Sequence, residues 1–466
     1  MKKLLHFYDI YALKIGISLL IIIISLYPKL PSVHIIRTWV YIRLEDFFIL
    51  AVTLIWLIQV LRRKAKIPFI VSLPIIIYWL IGLVSLIYSL IFIAPSLINF
   101  FPHIAILNYL RRIEYMILFF VAVSSVRSLK DIRDYIIIFC LTSLGVVLYG
   151  LGQRYWLDLW TKFPHFFEKY SFCFPSFQTG NEEFAKGIPL CLSPGSRLTS
   201  TFGGHYDLAA YLVLVIPVLL AVALSIKKLW LRILSSLLFL FNLILLIFTA
   251  SRVSFIAYLI AVISTLIFYK KKLFIIPVLI ISTILLFIFS ESTARRFLAT
   301  ARISSVVTNM QGQLIGETTS GLSQELKDKI SQNERALEKP PPVERLPEGS
   351  GFIGLPQNTA PASTNVAVVK KPLSPEEVRR LKITGGSLEI STISGSFLIR
   401  KALVYDISFT TRFQAEWPNA WKAFLRNPLL GSGYSTITLA TDNDYFRALG
   451  ETGILGLVSF LFIFLI

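Results

Sequence analysis

His205–Lys272 reads HYDLAAYLVLVIPVLLAVALSIKKLWLRILSSLLFLFNLILLIFTASRVSFIAYLIAVISTLIFYKKK. Apolar runs at 208–226, 231–249 and 253–269 follow one another, broken only by Lys227-Lys228 and by Thr249-Ala250-Ser251-Arg252. Each run approaches the roughly 20 residues that cross a bilayer core. Further runs of the same kind lie at 15–28, 47–61, 69–93, 104–125, 135–152 and 273–290, and a last one begins near 453. The whole chain of 466 residues is 55% hydrophobic and 16% charged, with a mean hydropathy of +0.69. That balance excludes an ordinary soluble enzyme. The predicted fold is all-α, a polytopic transmembrane helix bundle of about ten spans.

The net charge of +19 would point to nucleic acid if it formed one basic face. Here the Lys and Arg sit in short clusters between apolar runs, which is a topological pattern, so no nucleic acid is expected as a partner. Arg62-Arg63-Lys64-Lys66, Arg127/Lys130/Arg133, Lys227-Lys228/Arg232 and Lys270-Lys271-Lys272 all fall on one side of the bilayer. The positive-inside rule makes that side cytoplasmic, with the N-terminus, in a multi-pass protein of the cytoplasmic (inner) membrane. The apolar run after Met1–Lys14 has no small-residue cleavage site and reads as the first anchored helix, not a signal peptide.

The expected organisation is therefore a helix bundle over 1–290 with an outer loop at 153–207, then a large extracytoplasmic loop over 291–452. Within that loop, 311–396 is rich in Gly, Ser, Pro, Glu and Lys and reads as a flexible insertion. From 397 to 426, Phe397, Leu398, Ala402, Tyr405, Phe409, Phe413, Trp417, Trp421 and Phe424 recur every three to four residues, the pattern of an amphipathic helix at the membrane surface. The stretch 453–466 is too short for a span and reads as the start of a truncated final helix. Cys173 and Cys191 both fall in the first outer loop; a disulfide and two free thiols are both open readings.

The chain has no Gly-rich phosphate loop ending in Lys-Ser or Lys-Thr, no dinucleotide fingerprint, and five histidines without metal-ligand spacing, so no metal or cofactor is expected. Arg252 stands at a helix mouth on the face that normally lacks positive charge, and Arg197, in Ser196-Arg197-Leu198-Thr199-Ser200-Thr201-Phe202-Gly203-Gly204-His205, stands just before the next span. Each reads either as an interfacial anchor or as a guanidinium that grips phosphate bidentately. Arg111-Arg112 with Glu114, inside the fourth run, reads as an internal ion pair because an unpaired charge there costs about 2.5–3.5 kcal/mol. Arg295-Arg296 and Arg412 are also outer-side residues.

The last segment reads Asn427-Pro428-Leu429-Leu430-Gly431-Ser432-Gly433-Tyr434, then Thr441-Asp442-Asn443-Asp444-Tyr445-Phe446-Arg447-Ala448-Leu449-Gly450-Glu451-Thr452-Gly453-Ile454-Leu455-Gly456. By itself Gly431-Ser432-Gly433 is a turn. The whole stretch resembles the C-terminal motif of the O-antigen ligase and O-antigen polymerase superfamily, in which a Pro-x-x-Gly-x-Gly turn precedes a His-Asn dipeptide and a Glu-x-Gly-x-x-Gly helix start. Arg197-Leu198-Thr199-Ser200-Thr201-Phe202 followed by Leu208–Leu212 is similar to that family's first arginine motif, and Thr249-Ala250-Ser251-Arg252 to its Ser-Arg motif. The likeness spans about residues 190–460.

The resemblance implies a membrane glycosyltransferase that moves glycan from a polyprenyl-diphosphate carrier to an acceptor glycan or lipid hydroxyl at the outer face, without nucleotide sugar or metal. Arg197, Arg252 and Arg412 would hold the diphosphate. Asp442 stands where the family has its histidine, which favours polymerase over ligase; it would orient or deprotonate the acceptor hydroxyl, with His205 a second candidate base. Asn443, Gly431, Gly433, Glu451 and Gly453 would be motif positions of structural use, and Asp442 or Asn443 alternatively caps the last helix. The competing class is a non-catalytic transporter or flippase of lipid-linked sugars, although no inverted repeat supports it.

Overall fold

The computed structural model describes residues 2–36, 38, 41–65, 67–97, 100–162, 173–177, 179, 189–192, 196–289, 301–309, 314–318, 352–354, 362–372, 388–405, 411–437 and 443–465. They fall into two compact units, Met1–Phe297 with Val458–Ile466, and Leu298–Leu457.

The first unit is helical: α1 (Lys2–Leu26), α2 (Leu44–Leu61), α3 (Phe69–Tyr88, prolonged by a π turn and a 3-10 turn to Ser96), α4 (Pro102–Ser125), α5 (Leu129–Lys162), α6 (His205–Ser225), α7 (Leu229–Phe248), α8 (Arg252–Phe268) and α9 (Ile275–Phe289). Helix α5 runs ten residues beyond the expected 152. Seven of these helices, with the later Asp444–Phe462, make eight segments among the described residues that are long and apolar enough to cross a membrane, whereas α8 is shorter and α4 carries Arg111, Arg112 and Glu114. Leu50, Leu54, Leu57 and Leu61 on α2, and Ile276, Ile280, Ile284 and Phe287 on α9, are exposed. Such stripes of exposed aliphatic side chains are unfavourable in water and match a lipid surround.

Two cores hold the unit together. In one, Leu208, Leu212 and Ile216 of α6 pack with Leu243 and Leu246 of α7 and with Tyr258 and Leu266 of α8. Every residue from Asn242 to Phe248 is buried, as expected of a helix end that is apolar all round. In the other, Leu13 and Leu20 of α1 pack with Ile49, Val52 and Trp56 of α2 and Phe120 and Val121 of α4. Polar bonds between helices cross these cores: Trp56 Nε1 donates to Ser124 Oγ at 2.9 Å, and Ser143 Oγ donates to Asn242 Oδ1 at 3.1 Å. Bonds of this kind fix helix pairing where lipid and protein are equally apolar. At the end bearing the basic clusters, Lys14 Nζ pairs with Asp131 and Asp134 at 2.7 and 2.8 Å, and Arg62 with Asp9 at 2.5 Å.

The opposite end carries two small hairpins, β1 (Pro31–Val33) with β2 (Ile42–Arg43) and β3 (Ser176–Phe177) with β4 (Pro189–Leu190), both antiparallel. The two cysteines left open by sequence are joined: Cys173 and Cys191 form a disulfide, Cα atoms 5.9 Å apart, that clamps the base of the second hairpin.

The second unit contains a five-stranded antiparallel sheet of β5 (Ala301–Asn309), β6 (Leu314–Thr318), β7 (Phe352–Gly354), β8 (Ala362–Pro372) and β9 (Leu388–Tyr405), in the order β5-β6-β8-β9-β7 with β5 also paired to β9. Strand β9 pairs with β8 from Leu388↔Pro372 to Ile399↔Ala362, and with β5 from Phe397↔Asn309 to Tyr405↔Ala301. Two sequence expectations are corrected here. The segment 397–426 is not one helix: it continues β9 to Tyr405, and helix returns as a π turn at Thr411–Glu416 leading into α10 (Trp417–Arg426). Within 311–396, the described residues form β6, β7, β8 and half of β9. Val366, Val368 and Val369 in β8 and Ile390, Thr392 and Ile393 in β9 are β-branched residues suited to strands. The last helix, α11, begins at Asp444 and not near 453, and runs to Phe462 with a break at Gly453.

Candidate functional site

Helices α6, α7 and α8 are joined by short turns and pack on one another, so the N-termini of α6 and α8 lie at the same end, away from the basic clusters. The loop that enters α6 is pinned from several directions. Gln153 of α5 accepts the Ser200 N–H at 2.8 Å and donates to the Ser200 carbonyl at 3.1 Å. Ser200 Oγ donates to Val146 O at 2.8 Å, and Thr201 Oγ1 to Ser25 O at 2.6 Å. Ser200 takes the left-handed backbone at φ 50°, a strained position held by these four bonds. Leu198 N–H donates to the Phe248 carbonyl at 3.1 Å, which ties the Arg197 segment to the turn carrying Thr249, Ala250, Ser251 and Arg252.

Arg197 Nη1 lies 2.8 Å from His205 Nε2. A guanidinium cannot accept, so Nε2 is the acceptor and the ring proton sits on Nδ1. In this arrangement the atom His205 would use as a base is occupied by Arg197, and the histidine orients the arginine. His205 is the first residue of α6, after Gly204, and Arg252 the first of α8, after Ser251. Thr249 and Ser251 are buried; Thr249 Oγ1 donates to Leu246 O at 2.6 Å and Ser251 Oγ to Ser254 Oγ at 2.8 Å. Unpaired N–H groups and the positive end of the helix dipole make such termini natural anion sites. Sequence reasoning missed Arg154, just past the apolar run of α5, whose guanidinium stands 5.4 Å from the centroid of the Phe248 ring. Its position one residue after Gln153 was the available signal.

A second cluster at the same end of this unit also escaped the sequence reading. Lys29 Nζ pairs with Glu45 Oε1 at 3.1 Å and donates to Ile24 O at 2.8 Å, and Arg43 Nη1 lies 3.6 Å from the same Glu45 oxygen. Arg43 also donates to Thr179 Oγ1 at 3.2 Å, and Thr179 N–H to the Gly203 carbonyl at 2.9 Å, just before α6. Burial pushes the Lys29 ammonium below the usual lysine range, an effect the Glu45 carboxylate only partly offsets. With Asp46, Arg111 and Asp207 these residues line a cavity of about 480 Å³. Arg111, expected to pair internally with Glu114, donates to the Tyr41 carbonyl at 2.9 Å and faces this cavity.

The glycine motif is a feature of the second unit and holds backbone against backbone. Ser432 N–H donates to Gly450 O and Gly433 N–H to Glu451 O, both at 2.9 Å, and Ile454 N–H returns to Pro428 O at 2.9 Å. Gly431 and Gly453 have φ of 71° and 67°, and a Cβ on Gly431 would lie 2.6 Å from the Gly453 nitrogen. Glu451 is buried; its Oε1 accepts the Ser435 N–H at 3.1 Å and lies 3.5 Å from Arg447 Nε. Asn443 Oδ1 accepts the N–H groups of Tyr445 and Phe446 at 3.0 and 3.1 Å, so Asn443 is the cap of α11. Arg412 is half-buried in the π turn before α10. Asp442 and Arg295-Arg296 lie outside the described residues.

Among the described residues no group of three or more His, Cys, Asp or Glu is arranged to hold a metal ion. No protein-family model, curated protein or solved structure matches the chain.

Proposed function

We propose that the chain is an integral-membrane glycosyltransferase that moves glycan from a polyprenyl-diphosphate carrier to an acceptor hydroxyl at the outer face of the cytoplasmic membrane, in the manner of the O-antigen polymerases and ligases it resembles. The observation that carries this reading is the Leu198–Phe248 hydrogen bond, which sets the Arg197–His205 pair beside the Arg252 turn at two helix N-termini. The basic clusters at the other end favour placing this end outside, and the Cys173–Cys191 bridge suits an oxidising compartment.

In the proposed reaction the anomeric C–O bond to the diphosphate breaks and the leaving group keeps the electron pair. Negative charge grows on phosphate oxygens, and fixed donors at Arg197, Arg252 and the two helix N-termini stabilise it without reorganising. The acceptor hydroxyl oxygen bonds to the anomeric carbon and releases its proton to Asp442. Arg412 is a further candidate for the diphosphate. The carboxylate at the family's histidine position favours polymerisation over ligation.

The test uses the full chain in detergent with a polyprenyl-diphosphate oligosaccharide, no nucleotide and added chelator, with products resolved on a gel beside Asp442→Ala. A ladder of multiples in the wild type and none in the variant supports a polymerase; a single product that requires an added acceptor supports a ligase. Glycan unchanged with every acceptor refutes transfer and moves attention to transport of the intact lipid-linked sugar.

A further inference from the structure

The cavity between α1, α2, α4 and the first turn of α6 is chemically unlike a phosphate site. Its charged lining is balanced: Lys29, Arg43 and Arg111 face Glu45, Asp46 and Asp207. Glu45 is only 7% exposed, and its Oε2 has no hydrogen-bond partner although Oε1 takes both Lys29 and Arg43. A buried carboxylate oxygen requires a donor. A fully ionised phosphate has no O–H to supply one, and a lone metal cation would meet the three basic side chains.

The occupant must be neutral overall and offer O–H donors and oxygen acceptors on the same small body. Vicinal hydroxyls do this, since each donates to a carboxylate while accepting from an ammonium or guanidinium. The rest of the wall fits the same chemistry: Tyr115 contributes an aromatic ring, and Ile24, Ile49 and Leu118 give apolar surface for C–H faces. The volume of about 480 Å³ falls within the range of about 300–1,000 Å³ typical of small-molecule sites. We propose that this cavity is a saccharide-binding site that takes the hydroxyl-rich ring of an uncharged mono- or disaccharide, with Glu45 as its central acceptor. The inference stands on the cavity alone and holds whether or not the chain transfers glycan.

The experiment is saturation-transfer NMR on the full chain in an amphipol free of sugar-headed detergent, with N-acetylglucosamine and maltose as probes. Ring protons of at least one probe should receive saturation from the wild type. Glu45→Gln should weaken binding about tenfold or more, the usual effect of losing a charged hydrogen-bond acceptor. Tyr115→Ala, at a site 57% exposed where folding is spared, should reduce the signal as well, so the proposal remains testable if Glu45→Gln does not fold. Lys270→Ala, among the basic clusters, should leave it unchanged. No saturation of either sugar at millimolar concentration would mean that the cavity holds water only, and a signal that survives both Glu45→Gln and Tyr115→Ala would place the sugar elsewhere. Phosphorus NMR broadening of inorganic pyrophosphate that Arg43→Gln abolishes, without any sugar signal, would assign the cavity to an anion. Each of these three results overturns the proposal.

Discussion

Replacing Gly453 with alanine tests whether the glycine motif is a structural lock. Gly453 has φ 67° and ψ −166°, a region that residues with a Cβ scarcely enter, at a cost of about 1–3 kcal/mol. The added carbon would meet the Leu429 carbonyl oxygen in steric clash and lie 2.5 Å from the Leu429 carbonyl carbon and 2.6 Å from the Gly431 nitrogen. All three atoms are backbone, so relief requires moving a chain segment, and overpacking of this kind costs about 1–3 kcal/mol more. Together the substitution should destabilise by about 2–6 kcal/mol, which at about 2–4 °C per kcal/mol is a fall in Tm of at least about 4 °C. Thermal unfolding of the full chain in detergent, followed by near-UV circular dichroism, reads this directly. Hydrogen exchange should show faster loss at Ser432 and Gly433, whose N–H groups bind Gly450 and Glu451. A Tm within about 1 °C of wild type, with those amides still protected, would refute the lock.

Arg197→Ala and Arg252→Ala should each lower glycan transfer about 10²–10³-fold, the effect of deleting one preorganised donor to a developing oxyanion, while membrane insertion stays intact; activity retained in both would remove the clamp. Arg154→Ala should weaken transfer in the same gel assay through loss of its stacking on Phe248, and an unchanged rate would leave Arg154 without a part in the site. Without reductant, denatured protein should alkylate at Cys140 only, because Cys173 and Cys191 are bridged; removing the bridge with its sequence separation of 18 should cost about 3 kcal/mol, read as a lower Tm for Cys173→Ser. Native Lys29 releases its proton below the pH at which the unfolded chain does, so the native state binds fewer protons in that window and stability should rise with pH there; Tm followed from about pH 8 to 10 should rise less in Lys29→Gln than in wild type, and equal slopes would refute the linkage.

The bundle was legible because its signal is local. Each apolar run needs nothing but itself to predict a helix, and the helices of the first unit fall on those runs. The misread elements depend on partners. Phe397, Leu398, Ala402 and Tyr405 fit a helical repeat, and nothing within that window shows that Phe397 to Tyr405 pair in register with Asn309 to Ala301. Helix α11 was started too late because Asp444, Arg447 and Glu451 lower its hydropathy, although Arg447 and Glu451 pair at 3.5 Å and Glu451 is buried. The cavity was invisible for the same reason. Lys29 precedes the short hairpin between α1 and α2 and Arg43 ends it, Arg111 comes from α4 and Asp207 from α6, so only packing brings them together.

The first turns of the helices separate the two sites at this end of the bundle. Helix α2 opens on Glu45 and Asp46, and α6 carries Asp207 in its first turn, the acidic placement that the helix dipole favours. Helix α8 has no acid in its first turn and begins with Arg252, a placement that runs against the dipole. The same end carries Arg197, held on His205, and Arg154, stacked on Phe248. Arginine side chains therefore gather near the starts of α6 and α8, while the Lys29–Glu45–Arg43 cluster sets a carboxylate among its cations and offers an acceptor. The α6 N-terminus links them, because His205 belongs to one site and Asp207, two residues on, to the other.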